Sequence, residues 1–372
     1  MLHKKNYNLK IKLYKRNNHT KHLSFTSPIL YLNSHNIHVR VMREMEETQF
    51  LDLNNNAKKK KKKMTKYPLL RYEELPDYMK DNEYILNYYR ADWSIKHAFI
   101  SLFLFHNETL NVWTHLIAFV AFLVLTVANL THVYQVADFL QVSKWVFPSN
   151  HSLNASHLVT SSYIDTSPLQ IEVSRWPLFV YLGGSMFCFV SSSLCHLLSC
   201  HTHHLNCRLT QLDYTGITVM IITSFFPPIY YIFQCNPVWQ YIYLGIISVL
   251  GVFAVLVLLS PTRMTGKYRF LRTLIFVAMG LFGVIPTIHA TIINWNVPQR
   301  NTTLGFESAM GFSYLLGAVF YVSRVPEKWK PGWFDLVGHS HQIFHVFVVM
   351  GALAHYISVL VLYEYRRRIG CE

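Results

Sequence analysis

The stretch that decides the fold is Ser340-His341-Gln342-Ile343-Phe344-His345-Val346-Phe347-Val348-Val349-Met350-Gly351-Ala352-Leu353-Ala354-His355-Tyr356-Ile357-Ser358-Val359-Leu360-Val361-Leu362-Tyr363. It contains no acid and no base, and the uncharged run reaches back to Leu336. A helix needs about 20 mainly apolar residues to cross the hydrocarbon core of a bilayer, and this stretch meets that length. His341 and His345 stand four apart near its start, so on a helix their imidazoles share one face, one turn apart. Polar groups at membrane depth are costly and call for a partner. In a chain with 20 histidines roughly one such pair arises by chance, so the spacing needs support from position.

The rest of the chain supplies that support. No acid or base occurs across 109–131, 176–202, 214–260 or 273–299. Together these stretches predict an all-α integral membrane protein with seven spans, near 112–131, 176–199, 212–234, 238–260, 273–294, 305–323 and 340–362. The sixth is the weakest, because Glu307 interrupts its start. Residues 1–66 read as a disordered basic tail, 67–111 as a cytosolic and interfacial helical segment, 112–364 as the membrane domain and 365–372 as a short tail. Met42 is a candidate alternative start. No cleavable signal peptide is legible, so the first span is expected to direct insertion. Within 67–111, the run Glu73-Glu74-Leu75-Pro76-Asp77 reads as a helix start. Residues 81–90 continue it with Ile85, Leu86 and Tyr89 on one side, and 93–105 suit an interfacial helix.

The formal charge of +14 lies largely in the first 66 residues. Beside a membrane domain such a tail is first a topology signal and then a candidate for acidic-lipid contact. A nucleic-acid partner is excluded, because the Lys run at 58–63 lacks a folded basic surface. With the N-terminus inside, short inner loops hold Arg208, Arg263, Lys267, Arg269, Arg272, Arg324, Lys328 and Lys330, against Lys144, Arg175 and Arg300 outside. This bias predicts a cytosolic N-terminus and an outer C-terminus, outvoting Arg366, Arg367 and Arg368. It is opposite to the orientation of a G-protein-coupled receptor. Sequons at Asn129, Asn150, Asn154 and Asn301 fall outside on this map; those at Asn18 and Asn107 fall inside. The six cysteines form no evident disulfide framework, and the four at 188, 195, 200 and 207 are expected as free thiols on the cytosolic side.

In that orientation His196 near the end of the second span, Asp213 at the start of the third, and His341 and His345 at the start of the seventh all reach the cytosolic end at similar depth. Three neutral imidazoles leave one tetrahedral position open, the arrangement of a catalytic zinc ion. Zinc lowers the pKa of its water to about 7. Gln342 occupies the place where soluble zinc peptidases carry a Glu, so Asp213 is the available carboxylate for proton transfer. Ser192, one turn before His196, could bond the metal-bound water or a substrate carbonyl. The plainer alternatives are that Asp213 caps the third span and that Ser192 is one of three packing serines. His289 and His355 read as packing or pathway residues. His201, His203 and His204 with Cys200 and Cys207 match no regular zinc module. His339 reads as a hydrogen-bonding neighbour.

The run Phe105-His106-Asn107-Glu108-Thr109-Leu110-Asn111-Val112-Trp113-Thr114-His115 resembles the opening signature of the progestin and adipoQ receptor family. Ser192-x3-His196, Leu212-Asp213-Tyr214-x-Gly216 and Ser340-His341-Gln342-Ile343-Phe344-His345 complete the pattern, in order, over about 70–364. Residues 75–83 and Gly338-His339-Ser340-His341 look like the plant heptahelical branch. The resemblance implies seven helices around a zinc ion near the cytosolic face. It also implies His196, His341 and His345 as ligands, with Asp213 and Ser192 close by. Adiponectin receptors are linked to ceramidase-type hydrolysis of a lipid amide, and plant members to hormone and stress signalling. The expected function is therefore a plasma-membrane or endomembrane receptor. It would act on membrane lipids, with a ceramide-like substrate, and have an extracellular ligand and a cytosolic effector that the sequence does not identify. The competing expectation is a non-enzymatic sensor in which zinc only staples helices. A transporter is disfavoured by the lack of charged residues along a transmembrane path.

Overall fold

The computed structural model describes residues 67–131, 173–260, 266–297 and 299–371. Among the described residues are seven long helices: α1 Thr109–Thr131, α2 Trp176–Leu198, α3 His203–Ile232, α4 Pro237–Leu258, α5 Arg269–Ile293, α6 Gln299–Ser323 and α7 Ser340–Ile369. Six of them are long and apolar enough to cross a membrane; α6 is the exception, though its 25 residues span about 37 Å. α5 is broken at Gly283, three residues before Pro286, the residue types that interrupt a helical ladder. Among the described residues there is no strand beyond an isolated Leu70–Tyr89 bridge. A helix lies over each of the seven expected spans, six of them apolar enough to cross; α3 starts at His203 rather than 212, α7 continues to Ile369, and α4 stops at Leu258 rather than 260.

Burial sorts the helices. In α2 and α7, 61% of the apolar window is buried, against 17% in α5, so the two helices carrying the candidate imidazoles stand at the centre. α6 packs along α7, and α2 along both α1 and α3. Small residues permit these approaches. A Cβ on Gly351 of α7 would lie 2.6 Å from the Tyr314 ring of α6, and one on Gly184 of α2 would overlap Thr223 of α3. The outer surface of α4 and α5 exposes Tyr241, Phe253, Leu256 and Ile292, an apolar area too large for a soluble monomer.

Residues 67–105 depart from the helix expected there. Tyr72–Glu74 and Asp77–Met79 form single 3-10 turns, and 81–90 run non-helically, bonded back to 70–72 through Leu70 N–Tyr89 O (2.8 Å) and Tyr72 N–Leu86 O (2.9 Å). Three local causes act together. Pro76 interrupts the ladder, Asn82 accepts the Tyr84 N–H in a local turn, and Tyr88 and Asp92 adopt left-handed backbone. Leu75, Ile85 and Tyr89 still share a small core, so the periodicity was real but belonged to a pad. Only Ile95–Ile100 is helical, followed by a 3-10 turn at Ser101–Phe103. Its Phe99, Phe103 and Phe105 are exposed, as an interfacial element requires, whereas Trp93 is buried against Cys200.

Disulfide and sequon readings are also revised. Cys235, just beyond α3, is joined to Cys371, just beyond α7; Cys188, Cys195, Cys200 and Cys207 are free as expected. Asn129 is fully buried, with its amide donating to Tyr356 Oη and Leu125 O, so it is no glycan acceptor. Asn150, Asn154, Asn18, Met42 and the basic tail lie outside the described residues.

Candidate metal centre

The first turns of α7 are set by their approach. Gly338 takes φ +87°, a conformation open to glycine, and turns the chain into His339 at the N-cap. The orphan N–H of Ser340 is accepted by the buried carboxylate of Glu327 at 2.7 Å, and the Ser340 hydroxyl bonds the same group. From that anchor His341 and His345 project on one face. His196 faces them from the last turn of α2. One ring nitrogen from each of these three residues lies within 4.8 Å of the others, and His341 Nε2 is 3.2 Å from His196 Nε2. Zn–N bonds of about 2.0–2.1 Å in tetrahedral geometry place two ligand nitrogens about 3.3–3.4 Å apart.

The tautomers fit as well. His196 Nδ1 lies 2.8 Å from Glu108 Oε2, and His345 Nδ1 lies 3.2 Å from the Asn111 carbonyl. Each acceptor holds the proton on Nδ1 and leaves Nε2 with its lone pair toward the centre, as metal-ligating histidines require. The donor set suits zinc or a similar borderline metal ion.

The sequence over 103–356 matches the model of a family described as haemolysin-III related. The chain belongs to that family. It is similar to heptahelical transmembrane protein 1 of Arabidopsis thaliana, 53% identical over 310 residues that cover 83% of this chain and 86% of the relative. Heptahelical transmembrane protein ADIPOR1 of Oryza sativa subsp. japonica is 50% identical over 82% of this chain and 86% of its own length. The adiponectin receptor protein of Drosophila melanogaster is 33% identical over 79% of this chain and 60% of its own. The family resemblance carried by the motifs is thereby shown, and the chain is an integral membrane protein of the adiponectin-receptor-like heptahelical group.

Asp213 and Ser192 lie beside the triad. Both line the large cavity that also reaches His341 and His345. The capping alternative for Asp213 fails, because α3 begins ten residues earlier, where Thr202 accepts the Leu205 N–H. The three serines of α2 also separate. Ser191 bonds Cys188 O and sits against Gly216, and Ser193 bonds Phe189 O, so these two serve helix packing while Ser192 lines the cavity.

Glu108 and Asn111 are neighbours of the triad that the motif contained but to which sequence reasoning assigned no role. Glu108 Oε2 receives both the His196 ring and the Asn111 amide, the latter at 2.5 Å. The signal was present: a single acid at the edge of an otherwise uncharged span, three residues from an amide. His115, likewise quoted only for the motif, stacks on His345 at 3.7 Å. Arg90 was also missed. From the pad it donates to the carbonyls of His196 (2.7 Å) and Leu197 (3.2 Å), closing the end of α2. Asn82 reaches Glu327 at 3.0 Å, so the same pad touches the supports of both His196 and α7. Burial, with the Arg90 guanidinium nearby, pushes His106 down to about 3, and its neutral Nδ1 accepts the Glu108 N–H.

The remaining histidines stand apart. His339 bonds the Asn107 carbonyl at 3.3 Å, as a neighbour would. His201 bonds Trp93 O, and His203 meets Cys207 and the Tyr78 ring, so among the described residues the loop group does not converge on one point. His289 packs under Tyr243.

Proposed function

We propose that this heptahelical protein is a membrane signalling receptor whose His196, His341 and His345 hold a zinc ion with one open position, and that it hydrolyses a lipid amide. The observation that carries the reading is the convergence of the three imidazoles, with the Nδ1 partners of His196 and His345 already in place. A zinc ion so bound supplies Lewis acidity and activates water at neutral pH. Asp213 takes the proton released as water adds to the amide carbonyl and returns it to the leaving amine, so acid and amine leave in balance. Ser192 offers a hydroxyl to the carbonyl oxygen.

The cavity beside the triad supports a lipid substrate. It encloses about 730 Å³ among α3, α5, α6 and α7 and is mostly apolar, so an acyl chain can lie in it with the amide at the polar end. A cytosolic N-terminus and outer C-terminus are part of the proposal. The free cysteines at the triad end and the Cys235–Cys371 bridge at the other end match a reducing and an oxidising side. Hormone or stress signalling is proposed on the family resemblance alone.

Metal analysis of the purified chain beside His341→Ala/His345→Ala tests the centre: one zinc per wild-type chain and none in the variant is expected, and equal content refutes it. Ceramide turnover by zinc-loaded protein tests the chemistry. Activity no higher than that of Asp213→Ala leaves an ion that only ties α2 to α7.

A further inference from the structure

The cavity holds a second polar group that amide hydrolysis does not use. Glu307 of α6 and His355 of α7 both line it, well away from the triad along α7. His355 is buried, with Nε2 2.9 Å from the Ser224 carbonyl and Nδ1 3.0 Å from the Glu307 carboxyl. A carbonyl only accepts, so Nε2 carries a proton, and the Nδ1–carboxyl contact holds one more. Both ring nitrogens of His355 are then occupied, and Tyr181 closes its flank edge-on at 4.7 Å. Glu307 is not so occupied. Its side chain remains 18% exposed, and among the described residues His355 alone bonds its carboxyl. A carboxyl at membrane depth with vacant acceptor sites is costly to hold and marks a place where a donor binds.

The distance to the triad defines the ligand. His345 and His355 are ten residues apart on α7, about 15 Å at the helical rise of 1.5 Å per residue. An extended chain advances about 3.5 Å over three bonds, so about 13 bonds bridge that gap. We propose that Glu307, held by His355, is a hydroxyl-recognition subsite. It selects lipids whose acyl chain bears a hydroxyl about 12 carbons from the group lodged at the triad. A hydroxyl fits better than an ammonium, because the Glu307–His355 pair is already neutral as a whole and a cation would add charge inside the membrane. The inference deepens the lipid-hydrolase reading and rests on it, since the triad fixes the other end of the chain.

The test uses the full chain in nanodiscs with two probes, octadecanoic acid and the same acid hydroxylated at about carbon 12, each displacing a fluorescent fatty acid. The hydroxylated acid should bind wild type about tenfold more tightly, as one hydrogen bond to a charged acceptor allows. In Glu307→Met the two acids should bind alike while the plain acid binds as in wild type. Glu307→Gln keeps an acceptor without the charge and should show a preference of about threefold; it carries the comparison if the Met variant does not fold. A group that merely bridged α6 and α7 would not alter the ratio between two ligands. Equal affinity of the two acids for wild type overturns the subsite and leaves the hydrolase reading standing, as does a full preference persisting in either variant. Failure of wild type to bind either acid removes the lipid reading, and the subsite with it.

Discussion

Glu108→Gln is the sharpest perturbation of the proposed centre. The carboxylate accepts the His196 Nδ1–H at 2.8 Å and the Asn111 amide on the same oxygen. An amide oxygen of the same shape can occupy that position, so the geometry survives while the charge is lost. Hydrogen bonds to charged groups contribute about 1.5–3 kcal/mol and neutral ones about 0.5–1.5 kcal/mol, so the exchange should cost about 1–1.5 kcal/mol at His196. Because that bond orients the ring and raises its basicity, the loss should appear as metal affinity, about tenfold for Gln. Glu108→Ala, which also leaves the ring proton without its acceptor, should approach the upper end of the 10–100-fold range seen for such partners. Zinc competition against a fluorescent chelator reads both values in detergent, and near-identical melting of the zinc-free proteins shows that the fold is unaffected. Wild-type affinity in Glu108→Ala would refute the claim that this carboxylate serves the centre.

Three other outcomes are expected. Alkylation followed by intact mass should label four cysteines before reduction and six after it, and Cys235→Ser/Cys371→Ser should lose about 2–5 kcal/mol of stability, the range for a bridge closing so long a loop. His106 is held at about 3, below its ordinary value. The unfolded chain therefore binds this proton more readily, and stability is fully present above about pH 6.5 and lost as pH falls toward 3. At pH 5 the loss is about 2 kcal/mol, checked as a flatter melting-versus-pH slope in His106→Gln. Gly351→Ala should cost about 1–3 kcal/mol by pushing the Tyr314 ring away, and a melting curve unchanged from wild type would show that α6 and α7 part freely.

Spans were legible because the requirement is one-dimensional: about 20 uncharged apolar residues must follow one another, whatever packs beside them. The pad was misread because Ile85 and Tyr89 satisfy a helical period, yet local competitors at Pro76 and Asn82 and left-handed backbone at Tyr88 decide the backbone. Cys235 and Cys371 were not paired in the sequence reading, since their meeting depends on where α3 and α7 end in space.

By itself the chain's order of residues determined a membrane-embedded helical bundle, its family, and which histidines share a helix face. Those properties follow from hydropathy and from the 3.6-residue period, both local. Whether His196 reaches His341, whether Glu108 rather than Asp213 bonds His196, and whether Glu307 meets His355 or lipid were decided only by tertiary structure. The physical reason is that a hydrogen bond or a ligand nitrogen is effective over a few tenths of an ångström. Positions of that accuracy come from the packing of Gly351 on Tyr314, the Arg90 bonds to α2 and the Glu327 bond to α7, contacts between residues far apart in the chain.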